Sequence, residues 1–165
     1  MAGHTIAQTL RKLQAVTGNQ ALAKSLDFEA MTVITSLAQA AGAVRNRIEQ
    51  GPLATAKLSW SAYLVLWIVW TWQPIETREI VSEAGLGKPA LSGILATLEK
   101  RALISRKKSR DDARLVQVSL TVTGQKLIEE LLPQVNAIEA EIAAQIHENN
   151  RRLIADTLSG ITTNA

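Results

Sequence analysis

The densest chemistry in this chain is cationic. Between residues 104 and 120 the sequence reads ISRKKSRDDARLVQVSL, with Arg106, Lys107, Lys108 and Arg110 crowded together and Arg114 close behind. Guanidinium and ammonium groups set so close repel one another. A polyanion offsets that repulsion, because the phosphates the cations neutralise release condensed counterions. Residues 88–114 hold eight cationic side chains against three acidic ones, a net of +5, so the rest of the chain carries −2 of the overall +3. Such a field on a near-neutral body implies a polyanionic partner. A merely solvated charged face is the competing reading, and for this segment alone it would weigh as much.

Other chemistries are poorly provided for. There is no cysteine, which excludes disulfides, thiolate metal sites and thiol redox sensing. His4 and His147 lie too far apart to suggest a metal site by spacing, no histidine neighbours a motif acid, and no glycine-rich phosphate loop occurs. No catalytic residue, metal ligand or cofactor is therefore expected, and the chain reads as a non-enzyme. The most apolar run, WSAYLVLWIVWTW from Trp60 to Trp72, covers 13 residues. A membrane span needs about 20, so a buried helix is expected and no membrane partner. The N-terminus lacks a basic-then-apolar signal segment, which makes the cytoplasm the expected location. A length of 165 residues at 47% hydrophobic suits one domain, or a compact domain with a helical extension.

The elements that would position the charge can be read from apolar spacing and caps. Ile6, Leu10 and Leu13 mark an amphipathic helix over 5–15, interrupted by TGN at 17–19. A longer helix is expected from Asp27, a natural N-cap, to about Gln50, with Phe28, Met31, Ile34, Leu37 and Ala38 as its stripe. QGPL at 50–53 ends it, and Ser59 can cap the tryptophan helix, which must stop before Pro74. ETREIVSEAGL (76–86) reads as a brief helix broken at Gly85. GKPALSGILATLEKRA (87–102) reads as a second, tolerating Pro89 in its first turn. LISRKK and RLVQVSL read as strands, the latter with Val116, Val118 and Leu120 on one face, and SRDDA between them has the turn formers of a hairpin. Thr121 caps the longest helix, about Val122 to His147. Its stripe of Ile128, Leu131, Val135, Ile138, Ile142 and Ile146 stays in phase across Pro133, which should kink the helix rather than end it. ENNRRLIADTLSGI adds a terminal helix bearing Leu153, Ile154, Leu158 and Ile161.

Short helix, turn, second helix and basic-tipped hairpin follow one another in the order of a winged helix-turn-helix. The second helix begins with small residues, Pro89, Ala90, Ser92 and Gly93, that let its backbone settle into a major groove about 12 Å wide. Gly93 costs a helix up to roughly 1 kcal/mol relative to alanine, so a packing or binding reason for it is expected. Leu91, Ile94, Leu95 and Leu98 would seat the opposite face on a core, and the hairpin would neutralise phosphates beside the groove.

At this point the stretch EIVSEAGLGKPALSGILATLEKRALISRKKSRDDARLVQVSLTVTG resembles the MarR family of transcriptional regulators. The Leu98-Glu99 pair, the Asp112-Ala113-Arg114 triplet and LTVTG at 120–124 carry the resemblance. It implies that Arg114, oriented by Asp112, enters the minor groove; a salt bridge that stiffens the hairpin is the plainer, compatible role. Lys88, Pro89, Ser92, Gly93 and Thr97 fall where the family's recognition helix meets bases and nearby phosphates. Arg106, Lys107, Lys108 and Arg110 would meet phosphates from the wing, and Thr77 would hold one at the preceding helix. Ala102 stands where the family usually has glycine, so a tightened or shifted helix end is expected. With Pro89 and Gly93 in place of polar residues, more reliance on DNA shape is expected.

The fold class expected is therefore mainly α with a small β-hairpin wing: a winged helix-turn-helix plus a helical dimerisation domain. Residues 57–121 would bind DNA, 27–56 and 122–163 would dimerise, and 1–26 would add an N-terminal helical extension. The partners implied are palindromic double-stranded DNA, a second copy of the chain and a small aromatic or anionic effector. Trp60, Tyr63, Trp67 and Trp70 recur on one side of their helix, for which core packing is the leading reading. The family's effector cleft is the competitor, with Trp60, Tyr63 and Trp67 lining it and Arg45, beside Arg47, pairing with a carboxylate. The sequence reads as a homodimeric repressor relieved by such an effector, though it does not separate repressor from activator. The alternative is a winged-helix module that docks on another protein without sensing a ligand.

Overall fold

The computed structural model describes residues 6–16, 25–108 and 115–164. The chain divides into two compact units, residues 1–46 and 47–165. The first holds α1 (Ile6–Val16) and most of α2 (Phe28–Gln50). Asp27 caps α2 as expected, its carboxylate accepting from the Ala30 N–H at 2.9 Å. Val33 and Ile34 on α2 are more than half exposed.

The second unit runs α3 (Pro52–Ala56), α4 (Trp60–Trp72), β1 (Ile75–Glu76), α5 (Thr77–Ala84), α6 (Lys88–Lys100), β2 (Ile104–Lys108), β3 (Val116–Leu120), α7 (Val122–Ala143) and α8 (Glu148–Asn164). The strands form an antiparallel sheet in the order β1-β3-β2. β2 and β3 make the expected hairpin, with Ile104 opposite Leu120 and Lys108 opposite Val116. The third strand was not expected. β1 has two residues, too few for a period-2 pattern, and exists because Ile75 lies opposite Val118. The short α3 was missed for the same reason of length.

The core is aliphatic. Val65, Leu66 and Val69 of α4, Ile80 of α5, Leu91, Leu95 and Leu98 of α6, Val118 of β3 and Ile128, Leu131 and Val135 of α7 are all buried. Each such side chain contributes roughly 1.5–3 kcal/mol by leaving water. The stripe of Trp60, Tyr63, Trp67 and Trp70 meets the expected core packing only in part: Tyr63 is buried and the tryptophans are not. Trp60 and Trp70 are half-buried and Trp67 is 42% exposed, because the aliphatic residues and Tyr63 already fill the interior around α4.

Two caps fall where expected: the Ser59 hydroxyl accepts from Ala62 N–H at 3.2 Å, and the Thr121 hydroxyl from Gly124 N–H at 3.0 Å. α7 runs through Pro133 but ends at Ala143, a turn earlier than its stripe suggested. Its exit tightens to i→i+3 bonds from Gln145 to Ile142 and from Ile146 to Ala143. The Arg151 guanidinium then donates to the Ile146 carbonyl at 3.1 Å, satisfying a group that a longer helix would have bonded internally.

Candidate nucleic-acid interface

The helix-turn-helix is α5, a turn and α6. Gly85 closes α5 in the left-handed region (φ +61°), and the Leu86 N–H returns to the Val81 carbonyl at 3.3 Å. α6 starts from Gly87 with no side-chain cap and with Pro89 in its first turn. Leu91, Leu95 and Leu98 pin its inner face, so Lys88, Pro89, Ala90, Ser92, Gly93, Ala96 and Thr97 all stand exposed on the outer one. A methyl group added at Gly93 would meet nothing within 4 Å. Packing inside this chain therefore does not account for that glycine. Thr97 donates its hydroxyl to the Gly93 carbonyl at 2.9 Å, which leaves a methyl group and an oxygen lone pair to face outward.

Thr77, Arg78, Lys88, Ser92 and Arg106 rim a cleft of about 380 Å³ floored by Val81, Leu91 and Leu95. Four of these rim residues were expected from the sequence. Arg78 was missed, since a lone cation on a short helix gives no periodic signal. The start of α5 is already furnished with acid. Glu76 and Glu79 form a reciprocal capping box, Glu79 accepting from the Glu76 N–H at 2.9 Å, and Arg78 pairs with Glu76 at 2.6 Å. That leaves Thr77 its hydroxyl more than a free helix end to offer a phosphate.

Hydrogen bonds and one close backbone approach hold the exit of α6. The Arg101 guanidinium reaches back to donate to the carbonyls of Ala56 (2.8 Å) and Lys57 (2.9 Å), clasping the end of α3. Ala102 occupies the left-handed region at φ +54°, with Leu103 N–H closing on the Leu98 carbonyl at 3.0 Å. The expected tightening or shift does not occur: alanine takes the glycine conformation, at a local cost of about 1 kcal/mol. Thr121 offsets it by donating its hydroxyl to the Ala102 carbonyl at 2.6 Å, while its N–H reaches the Leu103 carbonyl at 3.0 Å. Gly124 completes the joint: a Cβ there would lie 1.9 Å from the Leu103 carbonyl oxygen. The LTVTG sequence thus brings the start of α7 against the exit of α6.

Arg106 was expected among the free phosphate contacts, and its surroundings differ from that expectation. Its Nε donates to Glu99 Oε2 at 2.9 Å, and a terminal nitrogen binds the same oxygen. This hydrogen bond, aided by the opposite charge, holds the Glu99 carboxyl below its usual range and raises the Arg106 guanidinium further. A lowered carboxyl contributes its stabilisation above the ordinary carboxylate pKa and loses it only as pH falls through the lowered value, so near neutrality the pair is fully ionised. Lys88, Lys100, Lys107 and Lys108, by contrast, form no ion pair among the described residues. Arg110, Asp112 and Arg114 lie outside the described residues.

The expected effector residues are only partly brought together. The rings of Trp60 and Tyr63 pack with centroids 5.8 Å apart, tilted by 40°. Glu49 accepts the Trp60 backbone N–H at 2.7 Å, fixing the start of α4. Burial, helped by Glu139, pushes the Tyr63 phenol up to about 12, so the hydroxyl is neutral. Trp67 points toward solvent. Arg45 belongs to the first unit and is exposed, while Arg47 pairs with Glu141. Among the described residues no cluster of metal-ligating side chains occurs, and no helix is long and apolar enough to cross a membrane.

Three comparisons bear on this geometry. Residues 58–116 match the model of the MarR family. The chain is 33% identical over 156 residues to the HTH-type transcriptional regulator YwaE of Bacillus subtilis (strain 168), itself uncharacterised, covering 94% of this chain and 88% of the relative. Among solved structures, NadR in complex with 4-hydroxyphenylacetate superposes with a TM-score of 0.68 at 26% identity, over 78% of this chain and 91% of NadR. The Staphylococcus aureus MepR–DNA complex superposes with a TM-score of 0.71 at 18% identity, over 86% and 100%. The last is a likeness of fold.

Proposed function

The chain belongs to the MarR family of winged-helix, DNA-binding transcriptional regulators, and from that premise we propose that it works as a homodimer on a two-fold operator, repressing the promoter the operator overlaps. The observation that carries this reading is the outer face of α6: small side chains, an open Gly93 and, beside the cleft rimmed by Thr77 and Ser92, lysines with no ion pair among the described residues. That face enters the major groove. Lys107, Lys108 and Arg110 neutralise phosphates beside it, and Arg114, oriented by Asp112, enters the narrow minor groove, where negative potential is enhanced. The complex of MepR with DNA supports this use of the fold.

The dimer is supported by apolar side chains left open in a single copy, among them Leu153 (66% exposed) and Ile161 on α8 and Ile34 on α2. Residues 27–56 and 122–163 make the dimerisation domain, 1–26 extend it, and 57–121 bind DNA. A two-fold axis then sets the two α6 helices one helical turn apart, roughly 34–36 Å. A small aromatic or anionic effector, taken up around Trp60, Tyr63 and Trp67, favours a spacing that no longer fits the operator. The aromatic carboxylate held by NadR supports that ligand class. Catalysis has no part in the reading.

The test is selection from a random pool of duplex DNA followed by salt titration. A sequence with two-fold symmetry should be enriched, and affinity should fall with a slope of about −0.9 in log K per phosphate neutralised. Lys107→Ala and Lys108→Ala should each weaken all duplexes alike and flatten the slope by about 0.9. No enrichment, with binding indifferent to salt, would favour the protein-docking alternative.

A further inference from the structure

Among the described residues, Arg106 is the one cation on the rim of the cleft that sits on the wing, and its guanidinium is tied to the recognition helix rather than left open. We propose that Glu99 is a specificity-determining residue: by pairing with Arg106 it withdraws that guanidinium from phosphates and fixes β2 at a set distance from α6. The inference rests on the reading of α6 and the wing as a DNA-binding surface.

Position supplies the first argument. Glu99 lies in the last turn of α6, one residue past the buried Leu98, and Arg106 lies at the middle of β2, opposite the buried Val118. The bridge therefore joins two elements already anchored in the core, and among the described residues it is the side-chain bond between the helix that meets bases and the strand that carries Lys107 and Lys108. Two nitrogens of Arg106 converge on one carboxylate oxygen, a geometry that fixes direction as well as distance.

Charge supplies the second. Guanidinium pairs with a phosphate as readily as with a carboxylate, whatever the sequence beneath it. A free Arg106 beside Lys88, Thr77 and Ser92 would swing to whichever phosphate lies nearest, and so would help a mismatched duplex, on which β2 need not keep its set distance from α6, more than the matched one. Discrimination depends on the difference between right and wrong duplexes, so holding Arg106 in one place sharpens it by denying the wrong ones that adjustable contact. Glu99 does this from inside the protein. The lowered carboxyl of Glu99 keeps the arrangement in force at neutral pH.

The test uses the full-length protein, the duplex it enriches from a random pool and a shuffled duplex of the same composition. Glu99→Gln, an isosteric change at a partly exposed site, should leave the melting temperature within a few degrees. It should raise affinity for the shuffled duplex several-fold, lower the ratio of specific to non-specific affinity about ten-fold, and steepen the salt slope on the shuffled duplex by about 0.9 as Arg106 takes up a phosphate. Arg106→Ala alone should leave the slope at its wild-type value, and adding it to Glu99→Gln should return the shuffled-duplex affinity to wild type. If Glu99→Gln raises both affinities by one factor, Glu99 only repels DNA and the proposal fails. If Arg106→Ala flattens the wild-type slope, Arg106 already holds a phosphate and the proposal fails again. Wild-type protein that binds neither duplex overturns the DNA-binding reading itself, a result distinct from either.

Discussion

The two ends of the recognition helix are built on opposite plans. At its start, α6 has no side-chain cap, a proline in the first turn, small exposed residues and a glycine with empty space above it. At its exit the strong groups other than Lys100 are engaged: Arg101 on the carbonyls of Ala56 and Lys57, Glu99 on Arg106, Ala102 on Thr121, and the Leu103 carbonyl pressed against Gly124. The difference separates two kinds of positive charge that a count treats alike. Lys88 at the start and Lys107 and Lys108 on the wing are exposed and form no ion pair among the described residues, whereas Arg101 and Arg106 spend donors inside the protein. Binding groups cluster where the fold leaves hydrogen-bonding capacity over, and positioning groups where it leaves none.

That division can be broken most forcefully at the exit. Gly124→Ala places a methyl group 1.9 Å from a backbone oxygen rather than against a flexible side chain, so α7 or the Ala102 corner must move. Overpacking of this kind costs typically 1–3 kcal/mol, and thermal or urea unfolding should register a loss of that size. A variant as stable as wild type would mean that the joint between α6 and α7 is loose. Arg101→Ala comes next. It removes two charge-assisted bonds to the α3 carbonyls at a partly solvated site, for which about 1–2 kcal/mol is expected. Its sharper readout is DNA binding: affinity for the enriched duplex should fall as α6 loses its tether, with the salt slope unchanged. A slope flattened by about 0.9 would move Arg101 from the positioning group to the phosphate-binding group.

The comparison also explains what the sequence could and could not tell. The caps at Asp27, Ser59 and Thr121, the turn at Gly85 and the inner face of α6 were legible, because each follows from local chemistry acting over three or four residues. Partners across the fold were not. Arg101 finds Ala56 and Lys57 more than forty residues earlier, and Glu99, marked in the sequence by the Leu98-Glu99 pair, had no visible partner until β2 brought Arg106 to it. Ala102 looked like a point of strain because the hydroxyl that supports its carbonyl comes from Thr121. The aromatic spacing of α4 was legible but misleading. It marks one side of the helix, yet the aliphatic residues between fill the interior and leave Trp67 at the surface.

Gly93→Ala probes the opposite end and has the smallest expected effect on the fold, with a sign that makes it decisive. Gly93 sits mid-helix at negative φ with no neighbour near its Cα, so alanine fits without strain. It also carries less backbone entropy into the unfolded state, and stability should rise by up to about 1 kcal/mol. If the start of α6 is shaped only by folding, nothing else should change. If it is shaped to bring backbone against base edges, the added methyl group stands in the groove, and affinity for the enriched duplex should drop while binding to the shuffled duplex stays near wild type. A gain in melting temperature together with a loss in specific binding is an outcome that no purely structural account of this glycine produces. Equal affinity in the two proteins would leave the open face of α6 without its proposed use.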